Sequence, residues 1–506
     1  MGERLRGLPG VRDVLGLEEG ARGPALRLAW VDGETLAQWR EERNPSLTER
    51  LAMAESVART LAGVHDRGVV HRDLSASNLL VEKRGDVQLI DLGLATARKR
   101  AQVDLTGAAD LTGTLRYMAP EQTGRMNRPV DSRSDLYALG GVLYELFTGS
   151  PPFTEEDPLG LIHAHIARTP APADEGPSRI PGSIARILDK LLAKDPEDRY
   201  QTARGLAADL RRCIERLRDG GHIEPFPVGG EDLSDQLQIP GRLYGRQAEV
   251  ERIVAAYERV ATGGRELLLV AGAPGVGKSA LVREVQPAVT ARGGLFAQGK
   301  FDQYQRGVPF TALTQAFTSL CRVILGEPEA AFESWRARLQ GALGAIGQVA
   351  VDLVPALEKI VGPQPEVPAL EGHAAENRLR YLLARLVSAM AGPEHPLLLF
   401  IDDVQWTGSA SLGLLEALLL DPELDGLLVV GAYRDSEVDE THIITTAQRG
   451  LRSQGLKIET LTIGDLGLPA LTELVSDTVG DGSAELAGVL HGKTAGNPLF
   501  AHRLLS

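Results

Sequence analysis

Hydrophobic residues in the first half of the chain recur at helical spacing. Ser46-Leu-Thr-Glu49 fits a capping box, and the apolar residues after it lie three or four positions apart: Leu51, Ala54, Val57, Leu61 and Val64. Residues 135–148 are apolar around the whole helix circumference and stop before Gly149, which predicts a buried helix. A one-sided apolar series over 184–192 predicts another. The first half is therefore predicted to be mainly helical.

The second half shows a different pattern, in which short continuous apolar runs alternate with helical segments. The runs cover residues 266–270 (ELLLV), 397–401 (LLLFI) and 427–430 (LLVV). Runs without polar alternation, joined by longer helical stretches, predict an α/β domain whose parallel sheet is covered on both faces. Between the halves, residues 218–242 are rich in Gly, Pro and Asp. We therefore expect two domains, 1–217 and 243–506, joined by a linker over 218–242.

Composition narrows the class of protein. With 43% hydrophobic residues, the 506-residue chain falls in the globular range. A net charge of −14 disfavours sequence-independent nucleic-acid binding, so no nucleic-acid partner is expected. Cys213 and Cys321 cannot form a disulfide framework, and the sequence contains no apolar run long enough to span a membrane and no secretion signal. These features predict a cytoplasmic protein.

A glycine-rich segment follows the first apolar run of the second half. Residues 272–279, GAPGVGKS, fit the pattern GxxxxGK[ST] of a phosphate-binding loop. Glycines let backbone N–H groups surround phosphates, Lys278 would neutralise the β- and γ-phosphates, and the Ser279 hydroxyl would ligate Mg²⁺. The alternative is a strand-to-helix turn that binds nothing. The sequence predicts ATP and Mg²⁺ as ligands, with the nucleotide held by Gly272, Gly275, Val276, Gly277, Lys278 and Ser279.

Two adjacent aspartates follow the second apolar run. Asp402 and Asp403 come directly after LLLFI, where a neighbouring strand would bring carboxylates to the phosphate loop. We expect Asp402 to hold the metal and Asp403 to orient the attacking water as the catalytic residue. Taken alone, two aspartates after a strand are more often a helix cap.

The first half of the chain carries three short motifs in sequence. Residues 71–78, HRDLSASN, match the catalytic-loop pattern HRDLxxxN. Asp91-Leu-Gly93 follows a short apolar run, with Leu92 where the pattern usually has Phe, and Ala119-Pro-Glu121 comes later. Residues 25–217 therefore resemble the large lobe of a Ser/Thr protein kinase, an α+β unit.

This resemblance assigns roles to individual residues. Asp73 would be the catalytic base for the acceptor hydroxyl, and Asn78 and Asp91 would ligate Mg²⁺. The structural and regulatory residues would be His71, Arg72, Thr106, Thr112, Thr114, Glu121, Asp135 and Arg199. Arg72 would face a phosphate on the segment that contains the three threonines. Thr114 would hydrogen-bond near Asp73, and Glu121 would pair with Arg199.

Some expected kinase features are missing ahead of Asp73. The sequence contains no glycine-rich loop there, and its first lysine is Lys83. Ser75 also stands where Ser/Thr kinases usually carry a lysine that neutralises the transferred phosphate. We therefore expect a small lobe that is mostly missing. Because loss of preorganised charge lowers reaction rates by orders of magnitude, we also expect weak kinase activity or none.

Two short signatures, Gly431-Ala-Tyr-Arg434 and Gly496-Asn-Pro498, occur later in the second half. They resemble the strand-end arginine and the Gly-x-Pro signature of the STAND class of signal-transduction ATPases. The resemblance implies that Arg434 contacts the nucleotide phosphates and that Pro498 lies near the base. Without it, Arg434 would be an ordinary surface arginine.

The domain order resembles bacterial multi-sensor hybrid kinases, in which a Ser/Thr kinase domain precedes a STAND-type ATPase and sensor and histidine kinase domains follow. The resemblance covers nearly the whole chain and implies truncation at both ends. It also implies protein substrates or downstream signalling domains as partners, and a nucleotide-dependent homo-oligomer. The leading hypothesis is a signalling kinase–ATPase. The alternatives are a pseudokinase docking module with a nucleotide-gated scaffold, and a STAND-type transcription regulator, for which no basic helix-turn-helix is visible.

Overall fold

The chain forms two compact units, Met1–Gln236 and Leu237–Ser506. The computed structural model describes residues 2–20, 23–97, 115–126, 128–155, 157–175, 180–232, 239–303, 310–325, 327, 329–370, 372–480 and 483–505. Thr106, Thr112 and Thr114 lie outside the described residues. Among the helices that are described, none is both long enough and apolar enough to cross a membrane.

The first unit combines helices with small antiparallel sheets. Its helices span Gly2–Leu5, Leu36–Arg43, Leu47–Asp66, Ser132–Thr148, Pro158–Ala167, Gly182–Leu191 and Ala203–Gly220. Its strands are β1 (Val14–Gly20), β2 (Gly23–Leu28), β3 (Gly33–Thr35), β4 (Val69–Val70), β5 (Leu79–Glu82), β6 (Val87–Leu89) and β7 (Thr96–Ala97). Strand β1 pairs with β2 and β4 with β7, and a third sheet has the order β3-β5-β6.

Local sequence signals account for the ends of the long helices. The predicted capping box is present: the Glu49 N–H donates to Ser46 Oγ, and the Ser46 N–H donates to the Glu49 carboxylate at 2.8 Å. Helix Ser132–Thr148 is buried over almost its whole length and ends at Gly149, whose φ of 98° suits glycine. It therefore forms the centre of the first core.

Part of the predicted linker packs against the first unit. Ile223 and Phe226 join the core of this unit, and the guanidinium groups of Arg212 and Arg216 lie over the Phe226 ring. The Asp232 carboxylate accepts the N–H groups of residues 201 and 202, just before helix Ala203–Gly220. Residues up to 232 are thus tied to the first unit.

The second unit is built on a sheet of five parallel strands. These are β8 (Arg265–Ala271), β9 (Leu295–Lys300), β10 (Leu397–Asp402), β11 (Leu427–Tyr433) and β12 (Ile458–Thr462), in the order β12-β8-β11-β10-β9. Its helices span Gln247–Ala261, Lys278–Arg283, Gln286–Ala291, Thr311–Leu325, Glu329–Leu343, Gly347–Leu353, Glu358–Val361, His373–Met390, Ser409–Leu420, Ile443–Ser453, Leu468–Val479, Ser483–Thr494 and Pro498–Leu505.

Both faces of this sheet are covered, as the continuous apolar runs predicted. Alternate residues of one strand join different cores: Leu397, Leu399 and Ile401 pack on one side, and Leu398 and Phe400 on the other. The parallel α/β fold predicted for this half is therefore present.

The strand order corrects one prediction. Asp402 and Asp403 were expected after a strand adjacent to the one that precedes the phosphate loop, but β11 lies between β8 and β10. Strands β9 and β12 were not identified from the sequence. They lie at the two edges of the sheet, and their sequences, LFAQGK and IETLT, contain no apolar run as long as those of the three central strands.

We expect Gly299→Ala to destabilise the second unit. A Cβ on this strand residue would overlap the backbone carbonyl of Ala312 at the start of helix Thr311–Leu325, so strand and helix would have to separate. The expected loss of unfolding free energy is about 2 kcal/mol or more, measured by urea unfolding.

The matched control is Gly341→Ala, within helix Glu329–Leu343, where an added Cβ meets no atom within 4 Å. This change should raise stability by about 0.5–1 kcal/mol because alanine favours the helix. Equal effects of the two substitutions would contradict the close packing of β9 against its helix.

Candidate functional site

The predicted phosphate loop connects β8 to helix Lys278–Arg283. Gly275 has a φ of 78° and Gly277 a φ of 98°, a conformation that glycine adopts without strain. The Val276 side chain is buried in the core on one face of the sheet and anchors the loop. The sequence around Lys278 therefore folds into a curved strand-to-helix turn.

Lys278 lies inside the curve of this loop. Its Nζ donates to the carbonyl oxygens of Gly272 at 2.7 Å and Ala273 at 2.9 Å. Burial lowers the pKa of Lys278, while the carboxylates of Asp402 and Asp403 act in the opposite direction. The ammonium group is partly removed from water, which strengthens its interaction with an anion in the loop.

Ser279 and Asp402 meet at the carboxyl ends of the strands. Ser279 Oγ donates to Asp402 Oδ2 at 2.7 Å, and Asp402 is buried. The contact forms across the intervening strand β11. A serine hydroxyl beside a carboxylate offers the hard oxygen ligands that Mg²⁺ prefers. These residues therefore fit a magnesium ion.

Asp403 is held in place by three groups. Its Oδ1 accepts from Gln405 Nε2 at 2.9 Å and lies 3.6 Å from Arg434 Nε. Its Oδ2 lies 3.0 Å from Lys300 Nζ. The backbone of Asp403 is left-handed, with a φ of 51°, which turns the chain directly after β10.

Lys300 was missed by the sequence analysis. It is the last residue of β9, and the parallel register of β9 with β10 places it opposite Asp402. The lysine alone carries no signal, because its position depends on which strand pairs with β10. Had β9 been recognised as a strand, a lysine at its carboxyl end would have been a candidate.

Arg434 follows β11 and lies at the same edge of the sheet. Its Nη1 donates to Glu437 Oε1 at 2.8 Å, and its guanidinium lies over the Trp406 ring at 4.8 Å. Trp406 Nε1 donates to Glu437 Oε2 at 3.0 Å. Arg434 therefore belongs to the cluster around Asp403.

The C-terminal signature also reaches the phosphate loop. Asn497 Nδ2 donates to the carbonyl oxygen of Pro274 at 3.1 Å, and the Leu499 N–H donates to that of Gly275 at 3.3 Å. Pro498 begins helix Pro498–Leu505 and lies between these two contacts. Asn497, which the sequence analysis did not assign, makes the side-chain contact. The contact is non-local, so only the Gly-x-Pro pattern indicated it.

In the first unit, Asp135 holds the catalytic-loop motif. Its Oδ2 accepts the His71 N–H at 2.8 Å and the ring N–H of His65 Nε2 at 2.8 Å, and its Oδ1 accepts the Arg72 N–H at 2.7 Å. Arg72 has a φ of 69°, which turns the loop toward Asp73. Asp135 thus fixes the backbone ahead of Asp73.

The charge of Asp135 is stabilised by these contacts. Burial alone would raise the pKa of this carboxyl, but the hydrogen bond from His65, the nearby His71 and the Arg72 N–H together lower it below its ordinary value. The carboxylate therefore stays ionised, as its acceptor role requires.

The three residues expected to act on a phosphoryl group are close in the fold. Asn78 Nδ2 donates to the backbone carbonyl of Asp73 at 2.8 Å and lies 3.2 Å from its Oδ2. The Ile90 N–H donates to the Asn78 carbonyl, and the His71 ring lies 3.1 Å from the Ile90 carbonyl. Asp91, with a φ of 59°, follows directly. Asp73, Asn78 and Asp91 therefore share one region.

Glu121 and Arg199 form a buried ion pair. Arg199 Nη1 and Nη2 donate to the two Glu121 carboxylate oxygens at 2.7 and 2.9 Å, and both side chains are fully buried. Ser134 Oγ donates to the same carboxylate, and Arg199 also donates to the carbonyls of residues 133, 193 and 194. The next residue, Gln122, donates to the Arg72 carbonyl, which links the pair to the catalytic loop.

Each of the two compact units contains a match to a known protein family. Residues 24–210 match the family model described as a protein kinase domain, and residues 242–430 match the one described as an AAA ATPase domain. The chain thus contains a protein kinase domain followed by an AAA ATPase domain. Both classes of domain use ATP, generally with Mg²⁺.

Three similar proteins are named as kinases. A hybrid signal transduction histidine kinase G of Dictyostelium discoideum is 33% identical over 61% of this chain and 10% of its own. A probable serine/threonine-protein kinase of Corynebacterium efficiens is 36% identical over 44% of this chain and 34% of its own. Serine/threonine-protein kinase PknB of Mycolicibacterium smegmatis is 34% identical over 38% of this chain and 31% of its own. The chain spans about a third or less of these relatives.

We expect Glu121→Ala to destabilise the first unit by about 3–5 kcal/mol, because the Arg199 guanidinium would remain buried without its carboxylate. Urea unfolding followed by circular dichroism measures the loss. Replacing both partners, Glu121→Leu with Arg199→Leu, should cost less than Glu121→Ala alone, since no charge is left unpaired. If the unfolding free energy of Glu121→Ala lay within about 1 kcal/mol of the wild-type value, this account would be contradicted.

Proposed function

We propose that this chain is a signalling protein in which a Ser/Thr protein kinase domain is coupled to an ATP-hydrolysing switch domain. The observation that carries the switch is the 2.7 Å contact between Ser279 Oγ and Asp402 Oδ2, beside the loop that holds Lys278. A hydroxyl and an ammonium group from the helix that follows β8 meet there with a carboxylate from the end of β10, as a magnesium–triphosphate complex requires.

In the switch domain, the loop N–H groups and Lys278 bind the phosphates. Lys278 would exchange the carbonyls of Gly272 and Ala273 for the β- and γ-phosphate oxygens. Ser279 and Asp402 would hold Mg²⁺, which neutralises charge on the phosphates when bound. Asp403 would accept a hydrogen bond from the attacking water, and Arg434 would bind phosphate oxygens.

In the kinase domain, Asp73 would accept the hydroxyl proton of the protein substrate. Asn78 and Asp91 would ligate Mg²⁺, and they suit it because amide and carboxylate oxygens are hard ligands. The contacts of Asp135 to the loop support this role, since they fix the backbone on which Asp73 stands. Glu121, Arg199 and His71 would hold the surrounding structure, and Arg72 would face a phosphorylated segment.

The proposed partners follow from these two activities. Protein substrates would receive the phosphoryl group, and downstream signalling domains would respond to the nucleotide state, with a homo-oligomer as one such state. Pro498 would lie near the base, as the contacts of its neighbours with the phosphate loop favour. We place the protein in the cytoplasm, where its two buried free thiols stay reduced.

Lys278→Ala tests the switch. We expect it to weaken Mg·ATP binding by at least tenfold and to abolish hydrolysis, because the phosphates lose their main cation. Binding is measured by titration calorimetry and hydrolysis by phosphate release. The control is Lys359→Ala, an exposed lysine of the same unit, which should change neither. Hydrolysis that survives in Lys278→Ala would refute the proposed site.

Asp73→Asn tests the kinase. With labelled ATP and a basic protein substrate, we expect transfer to Ser or Thr to fall by at least a hundredfold, because the acceptor hydroxyl loses its base. Asp86→Asn, in an exposed turn, is the matched control. Transfer by the wild type that depends on Asp73 excludes the pseudokinase alternative. If neither the wild type nor Asp73→Asn transfers phosphate, a docking role for this half is favoured.

A further inference from the structure

Arg434 is surrounded by groups that compete for its positive charge. Its Nη1 donates to Glu437 Oε1 at 2.8 Å, its Nε lies 3.6 Å from Asp403 Oδ1, and its plane covers the Trp406 ring. A guanidinium bound on one side by a carboxylate and stacked on an indole is held in one orientation. The Arg434 guanidinium therefore already has protein partners with which a phosphate group would have to compete.

Glu437 is the bridging group of this cluster. One of its carboxylate oxygens accepts from Arg434, and the other accepts from Trp406 Nε1 at 3.0 Å. Trp406 is buried, so the ring provides a fixed support. The Glu437 carboxylate is about one-third exposed and borders an open cleft of about 580 Å³, so it can rotate away without disturbing the core.

The bridge also joins two short turns at the ends of neighbouring strands. Trp406 lies on the turn Val404–Trp406 that follows β10, next to Asp403, and Glu437 lies on the turn Asp435–Glu437 that follows β11. The Arg434 N–H donates to Gln405 Oε1 at 3.4 Å, and Gln405 Nε2 donates to Asp403. A movement of Arg434 is thus coupled to the residue expected to orient water.

We propose that Glu437, supported by Trp406, is a latch that holds Arg434 away from the nucleotide phosphates until ATP displaces it. The proposal rests on the proposed function of the phosphate loop and names Glu437 as a positioning residue that acts through Arg434. The phosphates and Glu437 compete for the same guanidinium.

Competition of this kind lowers apparent affinity. If Arg434 is bound to Glu437 for most of the time, the nucleotide encounters a competent site for only the remaining fraction, and the apparent Kd rises in proportion. Weakening the latch therefore tightens nucleotide binding. Damage to the local structure would have the opposite effect, which makes the sign of the change informative.

Glu437→Gln tests the latch because it removes the negative charge and keeps the shape. We expect Mg·AMPPNP, a slowly hydrolysed ATP analogue, to bind about two- to fivefold more tightly, as measured by calorimetry on the full chain. Trp406→Phe keeps an aromatic ring, although a smaller one, and removes the N–H that holds Glu437, so it should act in the same direction. In an Arg434→Ala background, Glu437→Gln should have no effect.

The matched control is Glu333→Gln. Glu333 pairs with Arg336 at the same three-residue spacing, and the Arg336 guanidinium likewise lies over an aromatic ring, that of Phe332. This pair belongs to helix Glu329–Leu343, so its loss should leave the Kd unchanged.

The outcomes separate the latch from the site on which it depends. If binding requires Lys278 but Glu437→Gln leaves the Kd unchanged or weakens it, the latch is refuted and the phosphate site stands. If Glu437→Gln tightens binding equally with and without Arg434, the latch is also refuted. If Lys278→Ala binds as wild type does, the phosphate site itself fails.

Discussion

A carboxylate that is removed from water needs hydrogen-bond donors or cations inside the protein, and this requirement organises both units. In the first unit, the buried Asp135 accepts backbone N–H groups of the catalytic loop, and the buried Glu121 accepts both arms of Arg199. In the second, Asp402 accepts from Ser279, and Asp403 meets Lys300. The groups that satisfy these carboxylates are those that place the candidate site residues.

Strained backbone conformations also occur at the candidate site residues. Among the described residues, six that are not glycine have positive φ, and three of them are Arg72, Asp91 and Asp403. Such conformations cost of order 1–3 kcal/mol each and persist only where the surroundings impose them. The hydrogen bonds of Asp135 to the backbone around Arg72, and of Gln405 to Asp403, supply that constraint. These hydrogen bonds thus hold the backbone at Arg72 and the side chain of Asp403.

The two domains differ in the charged groups that surround their candidate catalytic aspartates, Asp73 and Asp403. In the kinase domain, Asn78 contacts Asp73, and its carbonyl accepts the N–H of Ile90, the residue before Asp91. Among the described residues, no lysine or arginine side chain is bonded to Asp73. In the ATPase domain, Lys300 and Arg434 lie on either side of Asp403. Cations near a carboxylate compete with water for its lone pairs. Under the proposed function, a bound nucleotide would therefore redistribute the contacts of these two cations, as a switch requires.

Local pattern alone determined the capped helix that follows Ser46, the buried helix that ends before Gly149, the three central strands, the phosphate loop around Lys278 and the catalytic-loop motif at Asp73. Each depends on residues adjacent in sequence, through backbone conformation and short-range hydrogen bonds. Tertiary structure decided the rest. The order of strands placed β11 between β8 and β10, and the register set Lys300 opposite Asp402. The roles of Asn497 and Glu437 likewise depend on contacts between separate segments of the chain. Spacing along the sequence does not encode these contacts, because packing of the whole sheet decides which strand ends meet.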